Sequence, residues 1–188
     1  MNASSLLVSN QCVVLGRRAL QQLRASLERD SGLQVAGYLQ EAGFAGGEEM
    51  YGAFLTWLKG VYGLDNPAEL DAAHLGEVLS RFFSESGWGT LQVTRIAPSV
   101  LAFDSPDWSE ADRSGTAQYP SCHLTSGLLS DFLGRLADAV VGVMEVECVS
   151  RGESRCRFLA GAPDTLQNLY ERMSQGLSYG QALGLDGA

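Results

Sequence analysis

Three of the four cysteines in this 188-residue chain, together with one glutamate, occur at spacings typical of a metal site. They are Cys122, Glu145, Cys148 and Cys156, which form the pattern Cys-x22-Glu-x2-Cys-x7-Cys in the last third of the sequence. Zn²⁺ binds thiolate and imidazole, accepts carboxylate, and is tetrahedral in closed structural sites. We therefore predict that these four residues bind a structural zinc ion, with no open position for a catalytic water.

Cys122 is predicted at the start of a helix, because it follows Pro120-Ser121 and precedes apolar residues at helical spacing. The free N–H groups and the dipole at a helix N-terminus favour a thiolate, so we expect Cys122 to deprotonate readily. The next residue, His123, could support the ligands or replace one of them, although a partly exposed histidine at a helix end is the commoner case.

The other three ligands are predicted in a β-hairpin. Glu145 and Cys148 lie in a strand-like segment over 140–149, and Cys156 lies in a partner strand over 155–159. Because the turn is centred midway between the two cysteines, we expect them to lie opposite each other. Residues three apart point to opposite faces of a regular strand, so a bulge or a twisted strand end must bring Glu145 and Cys148 together.

The cysteines also admit simpler explanations. Cys148 and Cys156 could form a cross-strand disulfide, or all the thiols of the cluster could be reduced and buried. In a reducing compartment, metal binding or inert burial is favoured over disulfides. Cys12 stands apart from the cluster, and we expect it to be an ordinary apolar residue.

Charge and composition exclude several classes of function. The chain has 22 acidic and 13 basic residues, for a net charge of -9, which argues against a nucleic-acid partner. No apolar run approaches the roughly 18 residues of a membrane span. The first eight residues lack the basic and apolar regions of a secretory signal, so we expect a cytoplasmic protein.

The order of predicted elements is four helices, two strands, a helix, two strands and a last helix. Asn66-Pro67 is a start signal for the fourth helix, and strands are predicted over 90–96 and 99–103. This order predicts an α+β fold, with a mostly antiparallel four-stranded sheet packed against helices and a helical N-terminal half. We divide the chain into a helical packing or dimerisation region, 1–63, and an α+β domain, 64–188, which together form one compact unit.

The cysteine segment resembles the 4-vinyl reductase domain family. The resemblance is carried by Tyr119-Pro-Ser-Cys-His-Leu-Thr-Ser-Gly127, Glu145-Val-Glu-Cys148 and Gly152-Glu-Ser-Arg-Cys-Arg-Phe158. That family is related in fold to small subunits of the TRAPP vesicle-tethering complex and to haem nitric-oxide-binding domains. It includes proteins linked to bacteriochlorophyll synthesis and sensor domains of bacterial activators that detect aromatic compounds.

The resemblance implies zinc held by three cysteines and one glutamate at the positions already singled out. It also implies that Trp88 lies near the place of a pocket histidine of the aromatic sensors, and that 103–108 lies near the place of their pocket tryptophan. Those sensors are attached to an ATPase, whereas this chain has no Gly-x4-Gly-Lys-[Ser/Thr] loop, so we expect a free-standing domain.

We predict a ligand pocket lined by Trp88, Phe103, Trp108 and His74. Each has an alternative role. Trp88 between two glycines could be a core residue, Trp108 could be a lid or an interface anchor, and His74 could be a boundary residue of the fourth helix. The acidic loop that carries Asp104, Asp107, Glu110 and Asp112 is interpreted as a solvated face.

The favoured function is a zinc-stabilised domain that binds a small hydrophobic or aromatic molecule as a sensor or carrier, without catalytic residues. The apolar faces of the N-terminal helices suggest a homodimer. One alternative is a reductase, or a reductase accessory, in tetrapyrrole metabolism, although no Gly-x-Gly-x-x-Gly motif follows a strand. A third possibility is a protein-interaction module of the TRAPP-subunit type.

Overall fold

The computed structural model describes residues 12–71 and 73–185. The first eight residues, for which no secretory signal is expected, lie outside this part of the chain. The α-helices are α1 Arg17–Ser31, α2 Val35–Ala45, α3 Gly47–Tyr62, α4 Leu75–Glu85, α5 His123–Ala137, α6 Pro163–Ser174 and α7 Tyr179–Leu183. The strands are β1 Gln92–Ala97, β2 Val100–Ser105, β3 Gly142–Glu147 and β4 Cys156–Gly161.

The strands form one four-stranded antiparallel sheet with the order β1-β2-β4-β3. Two hairpins, β1-β2 and β3-β4, are joined along their inner strands, with α5 in the connection between them. The predicted α+β fold and its helical N-terminal half are therefore confirmed. The α6 and α7 helices follow the last strand, and α7 was not predicted.

Each face of the sheet has its own apolar cluster, because side chains alternate along β2 and β4. Phe103 and Phe158 pair across these strands and point into the larger cluster, which is shared with α3, α4 and α5. Ala102 and Leu159 point to the other face and pack against α6 and α7. The larger cluster combines residues of the 1–63 and 64–188 regions in one core.

The start of the fourth helix differs from the prediction. Asn66 does act as a cap, since its side chain accepts a hydrogen bond from the Ala68 N–H at 2.9 Å. The capped segment is only a 3₁₀ turn, Pro67–Glu69, and α4 begins at Leu75. The capping box therefore closes a short turn, and the apolar residues that pack into the core begin later.

Two glycines allow α2 and α5 to cross in close contact. A Cβ atom on Gly43 would overlap the carbonyl oxygen of Leu124, and a Cβ on Gly127 would overlap that of Gln40. Because the backbones touch at this crossing, α2 determines where α5 lies. This matters for the site, since Cys122 immediately precedes α5.

No helix in the described residues is long and apolar enough to cross a membrane.

Candidate metal centre and cavity

Cys122, Glu145, Cys148 and Cys156 come together at one end of the sheet. One ligand atom from each residue lies within 4.8 Å of the ligand atoms of the other three. The Sγ atom of Cys122 is 3.9 Å from that of Cys148 and 3.8 Å from that of Cys156, and the last two are 4.0 Å apart. All three cysteines are fully buried and free of disulfides.

A β-bulge brings Glu145 and Cys148 to the same side, as the sequence required. In the β3-β4 ladder Glu145 pairs with Phe158, but the next pair is Glu147 with Arg157. The extra residue between them changes the side to which the following residues point. The prediction of a bulge is thus confirmed, and Cys148 reaches the cluster from the strand end.

The hairpin turn and the start of α5 hold the other ligands. Cys148 begins a 3₁₀ turn that ends at Gly152, whose φ of 92° is in the left-handed region that glycine adopts readily. Cys156 is the first residue of β4 and pairs with Ser105 of β2. Cys122 occupies the N-cap position of α5. One helix and two strands therefore meet at the cluster.

The arrangement fits a tetrahedral metal ion. A Zn–S distance of about 2.3 Å gives a separation of about 3.8 Å between two sulfur ligands at the corners of a tetrahedron. The observed Sγ separations of 3.8 to 4.0 Å agree with this value. They are also about twice the length of a disulfide bond. Glu145 Oε2 accepts the Cys122 N–H at 2.8 Å, whereas Oε1 is buried without a hydrogen-bond partner among the described residues.

Burial raises the cost of charge in this cluster. It raises the pKa of the Cys122 thiol well above its ordinary value, so the expectation that Cys122 deprotonates readily is wrong. Hydrogen bonds from the Cys122 and Cys156 thiols lower the pKa of Cys148, which is the preferred thiolate. Burial, together with the charge of Cys148, raises the pKa of Glu145. A bound cation would stabilise several of these groups in their charged forms.

The acidic loop is not a solvated face, because Glu110 is only 1% exposed. Its carboxylate caps α5, accepting the N–H groups of Leu124 at 3.0 Å and Thr125 at 2.8 Å, and also the Thr125 hydroxyl. Burial raises the pKa of Glu110 to about 7, against the lowering effect of these hydrogen bonds. Asp104, 7% exposed, is also buried and forms a bidentate ion pair with Arg157.

A buried arginine connects α1 to the start of α5. Arg24 donates to the Ser121 hydroxyl at 2.9 Å and to the Glu110 backbone carbonyl at 3.2 Å. The Ser121 hydroxyl lies 3.7 Å from the Sγ atom of Cys148. Arg24 was not predicted, because its partners lie 86 and 97 residues away and no local pattern reveals them.

A partly open cavity of about 280 Å³ lies between the segment that leads into α1 and the end of α4. Its lining is mostly apolar, and Trp88 is part of it. The lining residues are Cys12, Val13, Val14, Leu15, Arg17, Leu20, Met50, Ser86, Gly87, Trp88, Ser109 and Leu124. Leu124 belongs to the first turn of α5, so one wall of the cavity follows closely after Cys122.

The four predicted pocket residues do not share one location. Trp88 lines the cavity and stacks on Trp108, with ring centroids 5.7 Å apart. Trp108 and Phe103 are buried in the larger core cluster, and the Trp108 indole N–H donates to the Thr125 hydroxyl at 2.6 Å. His74 is exposed at the N-terminus of α4. Apart from Trp88, the residues that line the cavity were missed by the sequence analysis.

The fold and the cluster define an α+β domain with a buried set of three cysteines and one glutamate that could hold a metal ion. Residues 107–162 match the family model of the 4-vinyl reductase domain, and this segment contains all four residues of the cluster. The resemblance to the 4-vinyl reductase family is thereby confirmed for this part of the chain.

One curated relative is an uncharacterized protein of Methanocaldococcus jannaschii, 32% identical over 80 residues. The match covers 43% of this chain and 42% of the relative, so it spans less than half of either protein.

Two solved structures share the fold. One is the phenol-responsive sensory domain of the transcription activator PoxR with phenol, with a TM-score of 0.61 and 22% identity over 79% of this chain and 75% of that one. The other is a trafficking protein particle complex subunit 3 from Naegleria fowleri, covalently bound to palmitic acid. Its TM-score is 0.58, with 13% identity over 77% of this chain and 91% of that one.

Proposed function

We propose that this protein is a zinc-stabilised sensor or carrier domain that binds a small hydrophobic molecule in the cavity beside Trp88. The observation that carries the proposal is the apolar lining of this cavity, which includes Leu124 of the helix that starts at the cysteine cluster. Concave, mostly apolar pockets with a few polar groups are the usual form of small-molecule sites. The two solved structures that share the fold, one with phenol and one with palmitic acid, are consistent with such a role.

We propose that zinc is the metal and that Cys122, Glu145, Cys148 and Cys156 are its ligands. Thiolates select soft or borderline ions, and zinc accepts a carboxylate as a fourth ligand. Zinc would connect the start of α5 to the β3-β4 hairpin. With four protein ligands, its contribution is to folding and not to catalysis.

The metal proposal is tested by the zinc content of the purified protein. We expect one zinc per chain by elemental analysis, and we expect Cys148→Ser to lose most of the zinc and to unfold at a lower temperature. Cys12→Ser is the matched control, because it removes the one cysteine outside the cluster. Protein without stoichiometric zinc, or equal zinc in Cys148→Ser and Cys12→Ser, would contradict the proposal.

The ligand proposal is tested by native mass spectrometry of the protein purified from its own cells. We expect an additional mass that corresponds to a small organic molecule, and we expect Trp88→Ala to lose this mass while it keeps its zinc. Loss of zinc together with the ligand would indicate a general folding defect. Absence of any additional mass, with no binding of added hydrophobic compounds, would contradict a sensor or carrier role.

A homodimer is also proposed, since the N-terminal helices leave several large apolar side chains at the surface. Leu23 of α1 is 50% exposed, and Tyr38 and Phe44 of α2 are 51% and 53% exposed. Light scattering coupled to size-exclusion chromatography should give twice the monomer mass of 20.1 kDa. Tyr38→Ser with Phe44→Ser should shift the protein towards the monomer mass, and a wild-type monomer would contradict this proposal. Location in the cytoplasm stays a prediction from the sequence.

A further inference from the structure

The cavity has one charged residue among the residues that line it, and that residue is cationic. This is Arg17, the first residue of α1. The whole chain carries a net charge of -9, so a positive cavity rim differs from the average surface. A charge at the rim of an apolar pocket selects ligands by the sign of their own charge.

The guanidinium of Arg17 is positioned at the wall that contains Trp88. It donates to the Ser109 hydroxyl at 3.1 Å, and this hydroxyl donates to the Gly87 carbonyl at 2.6 Å. The backbone N–H of Ser109 in turn donates to the Trp88 carbonyl at 2.7 Å. These contacts direct the Arg17 side chain across the cavity mouth towards the wall formed by Gly87, Trp88 and Ser109.

Arg17 has donors left for a ligand. A guanidinium carries five N–H donors, and one hydrogen bond, to Ser109, is recorded for this one. The ion pairs of the described residues do not include Arg17. Its charge is therefore not neutralised by a carboxylate within the part of the chain that the structure describes.

The start of α1 increases the positive potential at this rim. Arg17 and Arg18 occupy its first two positions, no acidic residue lies in the first turn, and Gly16 provides no side-chain cap. Arginines at the positive end of a helix dipole are unfavourable unless an anion lies nearby. An anionic group at the cavity rim would satisfy both the helix terminus and Arg17.

We infer that the ligand is an amphipathic monocarboxylate, with its carboxylate on Arg17 and its apolar body along Trp88, Met50 and Leu124. This inference rests on the proposed function and adds the chemical class of the ligand. A single arginine in an otherwise uncharged lining matches one negative charge and not a phosphate ester with two. Arg–carboxylate pairs are directional and stronger than neutral hydrogen bonds, so Arg17 would also fix the orientation of the ligand.

The test compares two probes that share one apolar body, 4-butylbenzoate and 4-butylbenzyl alcohol, by isothermal titration at pH 7.5. We expect the carboxylate to bind wild-type protein about tenfold more tightly than the alcohol, because charge-assisted hydrogen bonds exceed neutral ones. Arg17→Gln should remove this preference and leave the affinity for the alcohol within about twofold. Arg18→Gln, which changes the adjacent exposed arginine outside the lining, should retain the preference.

The outcomes separate the two proposals. Equal affinity of wild-type protein for both probes, or the same preference in Arg17→Gln as in wild type, would overturn the carboxylate inference and leave a hydrophobic ligand site intact. Binding of neither probe by zinc-loaded, folded protein would count against the cavity as a ligand site. Circular dichroism of each variant verifies that the fold is unchanged, and Arg17 is exposed enough for the substitution to be tolerated.

Discussion

The two oxygens of the Glu145 carboxylate have different environments, and this difference is informative about the metal site. Oε2 accepts the Cys122 N–H at 2.8 Å, and Oε1 is buried with no recorded hydrogen bond. A buried carboxylate oxygen without a partner is costly unless a cation or another donor satisfies it. The three thiols and this oxygen together provide a complete tetrahedral set.

Replacement of Glu145 by glutamine removes the charge but keeps the shape of the side chain. We expect Glu145→Gln to weaken zinc affinity at least tenfold, because loss of groups that only support a ligand already costs 10- to 100-fold as a rough guide. Competition with a chromogenic chelator measures the affinity. Glu171→Gln, an exposed position on α6, is the control and should match wild type. Unchanged affinity in Glu145→Gln would exclude the carboxylate as a ligand.

Glu110 should make stability depend on pH, since its pKa is about 7 when folded and 4.5 is the ordinary value. Its folded pKa is raised, so the native state holds more protons than the unfolded state between these values. The contribution of Glu110 to the free energy of unfolding therefore falls as pH rises from about 4.5 to 7, by an amount on the order of 3 kcal/mol.

Urea denaturation at pH 5.5 and pH 8 tests this effect in wild type and in Glu110→Gln. Protonation of the metal ligands weakens both proteins at acid pH, so the informative quantity is the difference between them. We expect wild type to lose stability relative to Glu110→Gln as pH rises. A difference that is constant with pH would show that the folded pKa of Glu110 is not raised.

At the scale of elements, the site depends on how closely α5 approaches its neighbours. The α2-α5 crossing has glycines at both contact points, and backbone atoms of Leu124 and Gln40 occupy the space where side chains would be. Interiors are packed too densely to absorb an added methyl group at such a point without movement of the backbone. A shift of α5 would displace both Cys122 and Leu124.

Alanine substitutions at two glycines of α2 isolate this effect. We expect Gly43→Ala to destabilise the protein by about 1 to 3 kcal/mol and to lower its zinc affinity, because the new Cβ overlaps the Leu124 carbonyl. Gly37→Ala lies in the same helix with no atom within 4 Å of the added Cβ. It should be neutral or stabilising by up to about 1 kcal/mol, because alanine favours helix. Thermal unfolding of both variants gives the comparison, and equal destabilisation would contradict the role of the crossing.

Local patterns predicted most elements and the cluster, but not the cavity. The bulge in β3 followed from the ligands themselves, since Glu145 and Cys148 point to opposite faces of a regular strand. Asn66-Pro67 was misinterpreted because a capping box stabilises a short 3₁₀ turn as well as a longer helix. Glu110 and Arg17 were missed because their partners lie far away in sequence, and burial of a polar residue leaves no local pattern.

At the scale of the whole molecule, the metal cluster and the cavity share one helix. Cys122 precedes α5, the first turn of α5 is capped by Glu110, and Leu124 of that turn lines the cavity. A second connection runs through Trp108, which stacks on Trp88 and donates a hydrogen bond to Thr125. A change in the order of the α5 N-terminus should therefore reach both sites.

Removal of zinc should weaken ligand binding for this reason. We expect chelator-treated protein to keep its α6-α7 face, whose apolar cluster is separate, and to lose hydrogen-exchange protection at the first turn of α5 and in the β3-β4 hairpin. The affinity for 4-butylbenzyl alcohol should fall about five- to tenfold in zinc-free protein. Because coupling between two sites is reciprocal, the probe should weaken zinc transfer to a chelator by the same factor. Equal probe affinity with and without zinc, in protein shown to be folded, would mean that the cluster stabilises the fold independently of the cavity.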